Sequence, residues 1–345
     1  MDVQTLESRR VTTAVSSNYV RRPPPFIVRC LIGVVMFGVA APALWLVHRL
    51  GLTVRLASVV SRRQRQKTAA KNPFTGYTPT SHDVFVATFA KSGTNWMMQI
   101  AHQLLFHGEG HFDHIHEVVP WPDSKLMGPM RGYAIPLEDP AVWMASPEKK
   151  RVIKTHYSWD LVPYSEDARY ITVIRDPKDV FVSGYFFFLM NAFGGAVTPS
   201  VETWLDLFLS DFFLINGSWA ANTAGYWAQR HRKNVLICSF KAMRQDLPGS
   251  VRTVAAFLGV RASDEVIARV CERSSFDYMK KNDSQFRTWT LVPWSREGPM
   301  IRRGSQGSSS ELLTPAQQRR IDDHFRSELK RLGSDFPYDE FCDVA

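Results

Sequence analysis

Residues 84–100, VFVATFAKSGTNWMMQI, join a strand-like run (Val84–Phe89) to a helix (about Thr94 to His107) through a turn of small residues holding one lysine. A strand that is apolar on both faces needs cover on both sides, which restricts the chain to a layered fold. The same unit recurs downstream. Arg151–Lys154 and Tyr170–Ile174 are further expected strands, the second leading into a helix from Lys178. Val235–Ser239 is another, followed by a helix through Leu258. Strands alternating with helices predict βαβ units, hence an α/β fold: a single P-loop-like domain with a central parallel sheet flanked by helices. Ligands in such sheets bind beyond the carboxyl ends of the strands.

The turn AKSGTNW therefore sits where an anion would be held, because backbone N–H groups and the helix dipole converge there. The triphosphate-binding loop needs G-x-x-x-x-G-K-[ST], with lysine after a wide glycine loop. Here Lys91 comes first and Gly93 is nearly alone, so the loop suits one or two phosphate-like groups. The alternative is an ordinary βα turn with a surface lysine. In RVIKTHYSWD (151–160) a strand runs directly into Thr155 and His156, and an imidazole there suits a general base at neutral pH. In YITVIRDPKDVFVSGYFFF (170–188) Arg175 ends a strand, Asp-Pro opens a helix and Ser183 lies two turns along it. Arg175 offers bidentate contacts to a second phosphate, or pairs with Asp176 or Asp179 as scaffolding.

The formal net charge is +9, but residues 1–71 carry twelve of the 42 Lys and Arg and only two of the 33 acidic residues. The rest of the chain is at −1, so the basicity is not that of a nucleic-acid-binding domain. Cys30 to Val47 is an uncharged apolar run, extended by Phe26–Val28, and long enough to cross a bilayer. Arginines flank it on both sides, which blunts the orientation rule. The expected organisation is a basic tail (1–25), a transmembrane helix (26–50), a basic helix along the membrane surface with a linker (51–83) and a catalytic domain (84–345).

The three stretches, in this order and spacing, resemble the PAPS-dependent sulfotransferases, in wording closest to the cytosolic-type branch, over roughly residues 82–341. The family's Pro-Lys-Ser-Gly-Thr-x-Trp loop is matched by Lys91, Ser92, Gly93, Thr94, Asn95 and Trp96, with Ala90 replacing the proline. Its Lys-Thr-His is matched at 154–156, implying His156 as catalytic base, and its Arg-x-Pro-Lys-Asp-x-x-x-Ser from Arg175 to Ser183. SSFDYMKKN (274–282) is similar to the Ser-Phe segment, implying Ser274 near the cofactor and Phe276 on the adenine opposite Trp96. IRRGSQG (301–307) resembles the lid over the 3′-phosphate, implying Arg302, Arg303 and Gly304. Phe240 replaces a tyrosine at the adenine, and Ser308–Ser310 replace an Asp-Trp-Lys.

The resemblance implies PAPS as co-substrate, no metal, and in-line sulfuryl transfer to a hydroxyl or phenol. Lys91 would stabilise the transferring group and His156 would take the acceptor proton. HGEGHFDHIHE (107–117) clusters His111, His114 and His116 with Asp113 and Glu117; the rim of an acceptor pocket is preferred there to a metal site. Trp121, Tyr133, Trp143, Phe186–Phe188, Phe193 and Trp294 point to a hydrophobic small-molecule acceptor. The rivals are a P-loop kinase-like phosphotransferase and a catalytically silent membrane-tethered binding protein. A cysteine-poor body and the cytosolic-type motifs lean towards a cytoplasm-facing domain on a single-pass anchor. A Golgi-lumenal orientation and a homodimer are left open.

Overall fold

The computed structural model describes residues 25–126, 135–187, 199–210, 217–287, 300–302 and 308–343. Four strands form one parallel sheet: β1 (Asp83–Ala87), β2 (Arg151–Thr155), β3 (Arg169–Ile174) and β4 (Val235–Ser239), in spatial order β2-β1-β3-β4. The chain enters at β1, crosses to β2 on one side and then to β3 on the other. That reversal of direction opens a crevice at the carboxyl ends of β1 and its neighbours.

Side-chain alternation explains why the strands carry apolar residues on both faces. Val84, Val86, Val152, Ile171 and Val173 face one layer, together with buried residues of α3 (Thr94–Leu105), α8 (Leu247–Leu258) and α9 (Asp264–Arg273). Phe85, Ile153 and Tyr170 face the opposite layer with Phe74 and Tyr157. A third cluster joins α4 (Pro177–Phe186), α5 (Val201–Leu209), α6 (Trp219–Trp227) and α11 (Pro315–Arg331) around Phe181, Phe208, Trp219 and Phe325.

Three expectations need adjustment. The helix after β4 is two helices, α7 (Phe240–Gln245) and α8, because the Asp246 carboxylate accepts the Gly249 N–H at 2.9 Å and Pro248 occupies the first turn of α8. Strand β2 extends to Thr155, so His156 follows it directly. Residues 72–83, expected to be a linker, are packed: Phe74 is buried, and the Asn72 amide donates to the Leu161 carbonyl at 2.8 Å. The Tyr77 hydroxyl completes a buried network, donating to Asp83 and accepting from Arg151, while Arg151 pairs with Asp83 at 2.9 Å.

The N-terminal part begins with α1, Phe26–Arg49, 24 residues with a mean hydropathy of 2.3 over its most apolar window, only 6% of which is buried. Pro42 has no N–H to donate, and a π turn over Met36–Ala40 accommodates it within the helix. The basic helix expected over 52–70 is α2, Thr53–Ala70. It packs on α5 and places Ala57 in the cluster that holds Phe181, Trp204 and Phe208.

Helix α4 starts where the Asp176 carboxylate accepts the Lys178 N–H at 2.8 Å. Lys178 is buried, its ammonium 2.5 Å from Asp322 and 3.3 Å from Asp176, and the Tyr338 hydroxyl donates to Asp322 at 2.7 Å. Removing one partner of a buried pair leaves an uncompensated charge. Lys178→Ala is expected to lower the unfolding free energy by about 3–5 kcal/mol. Arg326→Ala, which breaks an exposed pair with Asp339, should cost under about 1 kcal/mol. Denaturant unfolding of both variants checks this, and equal losses would contradict it.

Candidate active site

The β1–α3 turn is shaped by two residues with positive φ, Lys91 at 69° and Gly93 at 99°. Gly93 is required twice over, since a Cβ there would also lie 2.9 Å from the Phe240 ring. Helix α3 begins with no side-chain cap, so its first-turn N–H groups remain available to an anion. The Thr94 and Thr88 hydroxyls share a 2.6 Å hydrogen bond that ties the helix start to the strand end. Ser92 is fully buried, and its Oγ has no hydrogen-bond partner among the described residues; the same holds for Ser274 Oγ. Orphaned buried hydroxyls need partners. Two of them beside a bare helix start fit a polar ligand.

Four cations converge on this edge, and each lies against an aromatic ring. The Lys91 ammonium is 4.0 Å from the Phe187 ring centroid and the Lys154 ammonium 3.5 Å from that of Trp121. The guanidinium carbons of Arg175 and Arg302 are each 4.3 Å from a centroid, over Phe240 and Phe186 respectively. Arg175 also donates to the Lys91 carbonyl at 3.1 Å and approaches Asp179 at 3.6 Å, so it scaffolds the loop as well as facing it. Arg302 pairs with Glu311 at 2.7 Å. Burial, then the positive charge of Arg175, lowers the Lys91 pKa to about 7. Burial does the same to Lys154. A cluster of partly or fully buried cations that includes two ammonium groups of lowered pKa is an arrangement suited to a polyanion.

His156 is placed by its neighbours rather than by its own strand. Its backbone N–H donates to Asp123 at 2.7 Å, and the Thr155 hydroxyl donates to the same carboxylate at 2.9 Å. The imidazole Nδ1 lies 2.9 Å from the Thr88 carbonyl. A carbonyl only accepts, so Nδ1 carries the proton and Nε2 is the basic nitrogen. Burial and the neighbouring Lys154 push the His156 pKa down to about 3, which keeps the ring neutral. Asp123 was not foreseen as a site residue: its partners lie 32 and 33 residues away in the chain and its PWPDS context carries no motif.

The other expected residues fall around this edge. The Trp96 indole donates to the Ser274 carbonyl at 2.8 Å and its ring meets Phe240 edge-on at 5.4 Å. Phe276 opens α10 (Phe276–Lys281) two residues after Ser274, with the Lys280 ammonium 5.2 Å from its ring centroid. Asn95 lies in the first turn of α3, and Ser183 is half-buried on α4. Arg303, Gly304, Tyr133, Phe188, Phe193 and Trp294 lie outside the described residues. The histidine cluster is dispersed. His114 accepts the His116 N–H and contacts the Arg287 carbonyl, whereas His116 contacts the Val119 carbonyl and lies 3.5 Å from the Lys154 ammonium. Among the described residues no group of three or more His, Cys, Asp or Glu is arranged to hold a metal.

Against known proteins, the family model of the sulfotransferase domain matches residues 81–333. The chain belongs to the sulfotransferase domain family. Its relatives include sulfotransferase 2A1 of Macaca fascicularis, 30% identical over 74% of this chain and 88% of the relative. Another is the 3-alpha-hydroxysteroid sulfotransferase of Cavia porcellus, 30% identical over 72% of this chain and 83% of the relative. Among solved structures, retinol dehydratase in complex with retinol and PAP superposes with a TM-score of 0.60 at 21% identity, covering 80% of this chain and 88% of that one. The mouse sulfotransferase SULT7A1 complexed with PAP gives 0.55 at 22% identity, over 74% and 86%. The family model spans β1 through α11, and α1 and α2 lie before its first matched residue.

The loop geometry predicts that Gly93→Ala both strains the backbone and drives a methyl into Phe240. The expected outcome is a stability loss of about 1–3 kcal/mol together with loss of anion binding at the α3 start. Unfolding and calorimetric titration of the variant check it; wild-type values for both would refute the role assigned to the turn.

Proposed function

We propose that this sulfotransferase moves a sulfuryl group from PAPS to the hydroxyl or phenol of a hydrophobic small molecule, working from a single-pass membrane anchor. The observation that carries the reading is the pairing of a cationic loop at the end of β1 with a neutral, Nε2-basic His156 at the end of the adjacent β2. The similar solved structures in complex with PAP, together with the fit of the cation cluster to a polyanion, support PAPS as the co-substrate.

When bound, PAPS supplies the sulfuryl group on a phosphosulfate anhydride and a nucleoside bisphosphate as leaving group. Ser92, Gly93, Thr94 and Asn95 would hold its 5′ end through loop and helix N–H groups and hydroxyls, with Lys91 balancing charge at the bridging oxygen. Trp96, Phe240, Ser274 and Phe276 are the residues suited to the adenine end. Arg175, Ser183 and Arg302, with Arg303 and Gly304, are suited to the 3′-phosphate. His156 Nε2 accepts the acceptor's hydroxyl proton, and the Thr88 carbonyl supports the imidazolium that forms. Asp123 keeps that histidine aimed. Sulfuryl transfer, like phosphoryl transfer, depends mainly on such positioning and charge stabilisation.

The acceptor reading rests on aromatic surface at the site, including Trp121 beside His156 and Phe186 and Phe187 over the cations. The steroid and retinol in the names of relatives are in keeping with it. The exposed apolar surface of α1 supports the anchor. Four unpaired cysteines and the cytosolic-type motifs support a catalytic domain on the cytoplasmic side, which protease protection in sealed microsomes tests.

Calorimetric titration of the full chain with adenosine 3′,5′-bisphosphate is expected to show metal-independent binding, weakened at least tenfold by Arg175→Ala. A preference for ATP with magnesium would overturn the reading in favour of a phosphotransferase. His156→Ala should abolish transfer while leaving bisphosphate affinity nearly unchanged; parallel loss of both would make His156 structural. Protonation supplies a further check. A bound anion favours the charged ammonium, so the Lys91 pKa, about 7 without ligand, rises on binding. At pH 8 the free ammonium is only about one-tenth protonated, so bisphosphate binding should take up close to one proton. Titrations in buffers of different ionisation enthalpy measure this, and uptake that persists in Lys91→Met would locate the proton elsewhere.

A further inference from the structure

Helix α2 lies before the residues that the sulfotransferase family model matches. It starts at Thr53, four residues after α1 ends at Arg49, and it turns Ala57, Ser61 and Thr68 inwards against the domain. Its outer side carries Leu52, Leu56, Val59 and Val60, exposed by 40–50%. Their spacing of i, i+4, i+7 and i+8 makes one stripe. Farther along, the outer side becomes basic. Arg55, Arg62, Arg63 and Lys67 are exposed and form no ion pair among the described residues, and the sequence has no acidic residue between Glu7 and Asp83.

We propose that α2 is an interfacial helix lying on an anionic bilayer surface, its leucine–valine stripe sunk among the headgroups and its arginines paired with lipid phosphates and carboxylates. The inference rests on α1 being a membrane span. Continuity with α1 brings the first turn of α2 to the headgroup level, and a stripe flanked by unpaired cations is the composition such surfaces bind. The consequence reaches the chemistry. Ala57 of α2 and Phe181 of α4 belong to one apolar cluster, and α4 carries Ser183 and begins beside Arg175. A surface-bound α2 therefore holds the catalytic domain in a fixed attitude to the bilayer.

The test uses the full chain reconstituted in vesicles, spin-labelled at Val59→Cys, with the signal of identically treated wild type subtracted. In vesicles of phosphatidylcholine with phosphatidylserine, the label should collide more with oxygen than with a water-soluble nickel chelate. The charge-reversed Arg62→Glu/Arg63→Glu variant should move it several-fold towards chelate access. A label equally open to the chelate with and without phosphatidylserine, in protein that resists carbonate extraction, overturns the surface role while leaving the anchor standing. Low access to both reagents assigns the stripe to a protein contact and overturns it as well. Release of the chain by carbonate removes the anchor and this inference together.

Discussion

The in-register parallel pairing of β1 with β2 is the constraint on which the site depends. Ala87 lies opposite Thr155, so the two strands end level with each other, and the residues that leave them enter one crevice. From β1 comes the loop with Lys91; from β2 comes His156, whose ring is held by the Thr88 carbonyl of the neighbouring strand end. At the other end of the same pair, Asp83 and Arg151 close a buried ion pair with Tyr77. A slip of one residue would break that pair, turn every side chain to the wrong face and separate the lysine from the histidine. The polar network at the amino ends of the strands thus fixes the register from which the chemistry at their carboxyl ends follows.

The site is costly to hold open. Lys91 and Lys154 are depressed to about 7 by burial, which means that the surroundings disfavour their charged forms. The aromatic rings against Lys91, Lys154, Arg175 and Arg302 offset part of that cost without neutralising it. An incoming anion would relieve that cost at the two lysines, which is how the proposed site would favour ligand over solvent. Arg175 and Arg302 already have Asp179 and Glu311 beside them, as in a scaffolding network, whereas the ammonium groups of Lys91 and Lys154 lie against aromatic rings.

Much of this was legible in the sequence, because the strands are short apolar runs ended by the chemistry they carry. Lys91, His156 and Arg175 each follow or close a strand, and their placement required only the period of the strands and a parallel sheet. What was not legible depended on contacts across the chain. Asp123 holds His156 from a segment with no periodicity. Residues 72–83 read as a linker because proline and glycine report turns, not exposure, and only the structure shows Phe74 filling the layer beneath Phe85. The break at Asp246 was written in the sequence as a capping residue followed by proline, and the apolar run on either side obscured it. The lid expected at 301–307 is described only at its first two residues, where Arg302 meets Glu311 and Phe186.

The clasp on α4 bears on the order in which the molecule becomes functional. Lys178 and Asp176, at the base of the helix that follows Arg175, are held by Asp322 and by the Asp343 N–H, partners 144 and 167 residues later in the chain. All four strands lie between residues 83 and 239, so the sheet can assemble without these contacts, whereas the clasp on the helix after Arg175 closes loops of 144 and 167 residues. During synthesis the apolar α1 emerges first and the clasp much later. The sheet can therefore be complete while the helix that follows Arg175 is still loose, and the final placement of that arginine waits on the carboxyl-terminal part of the chain.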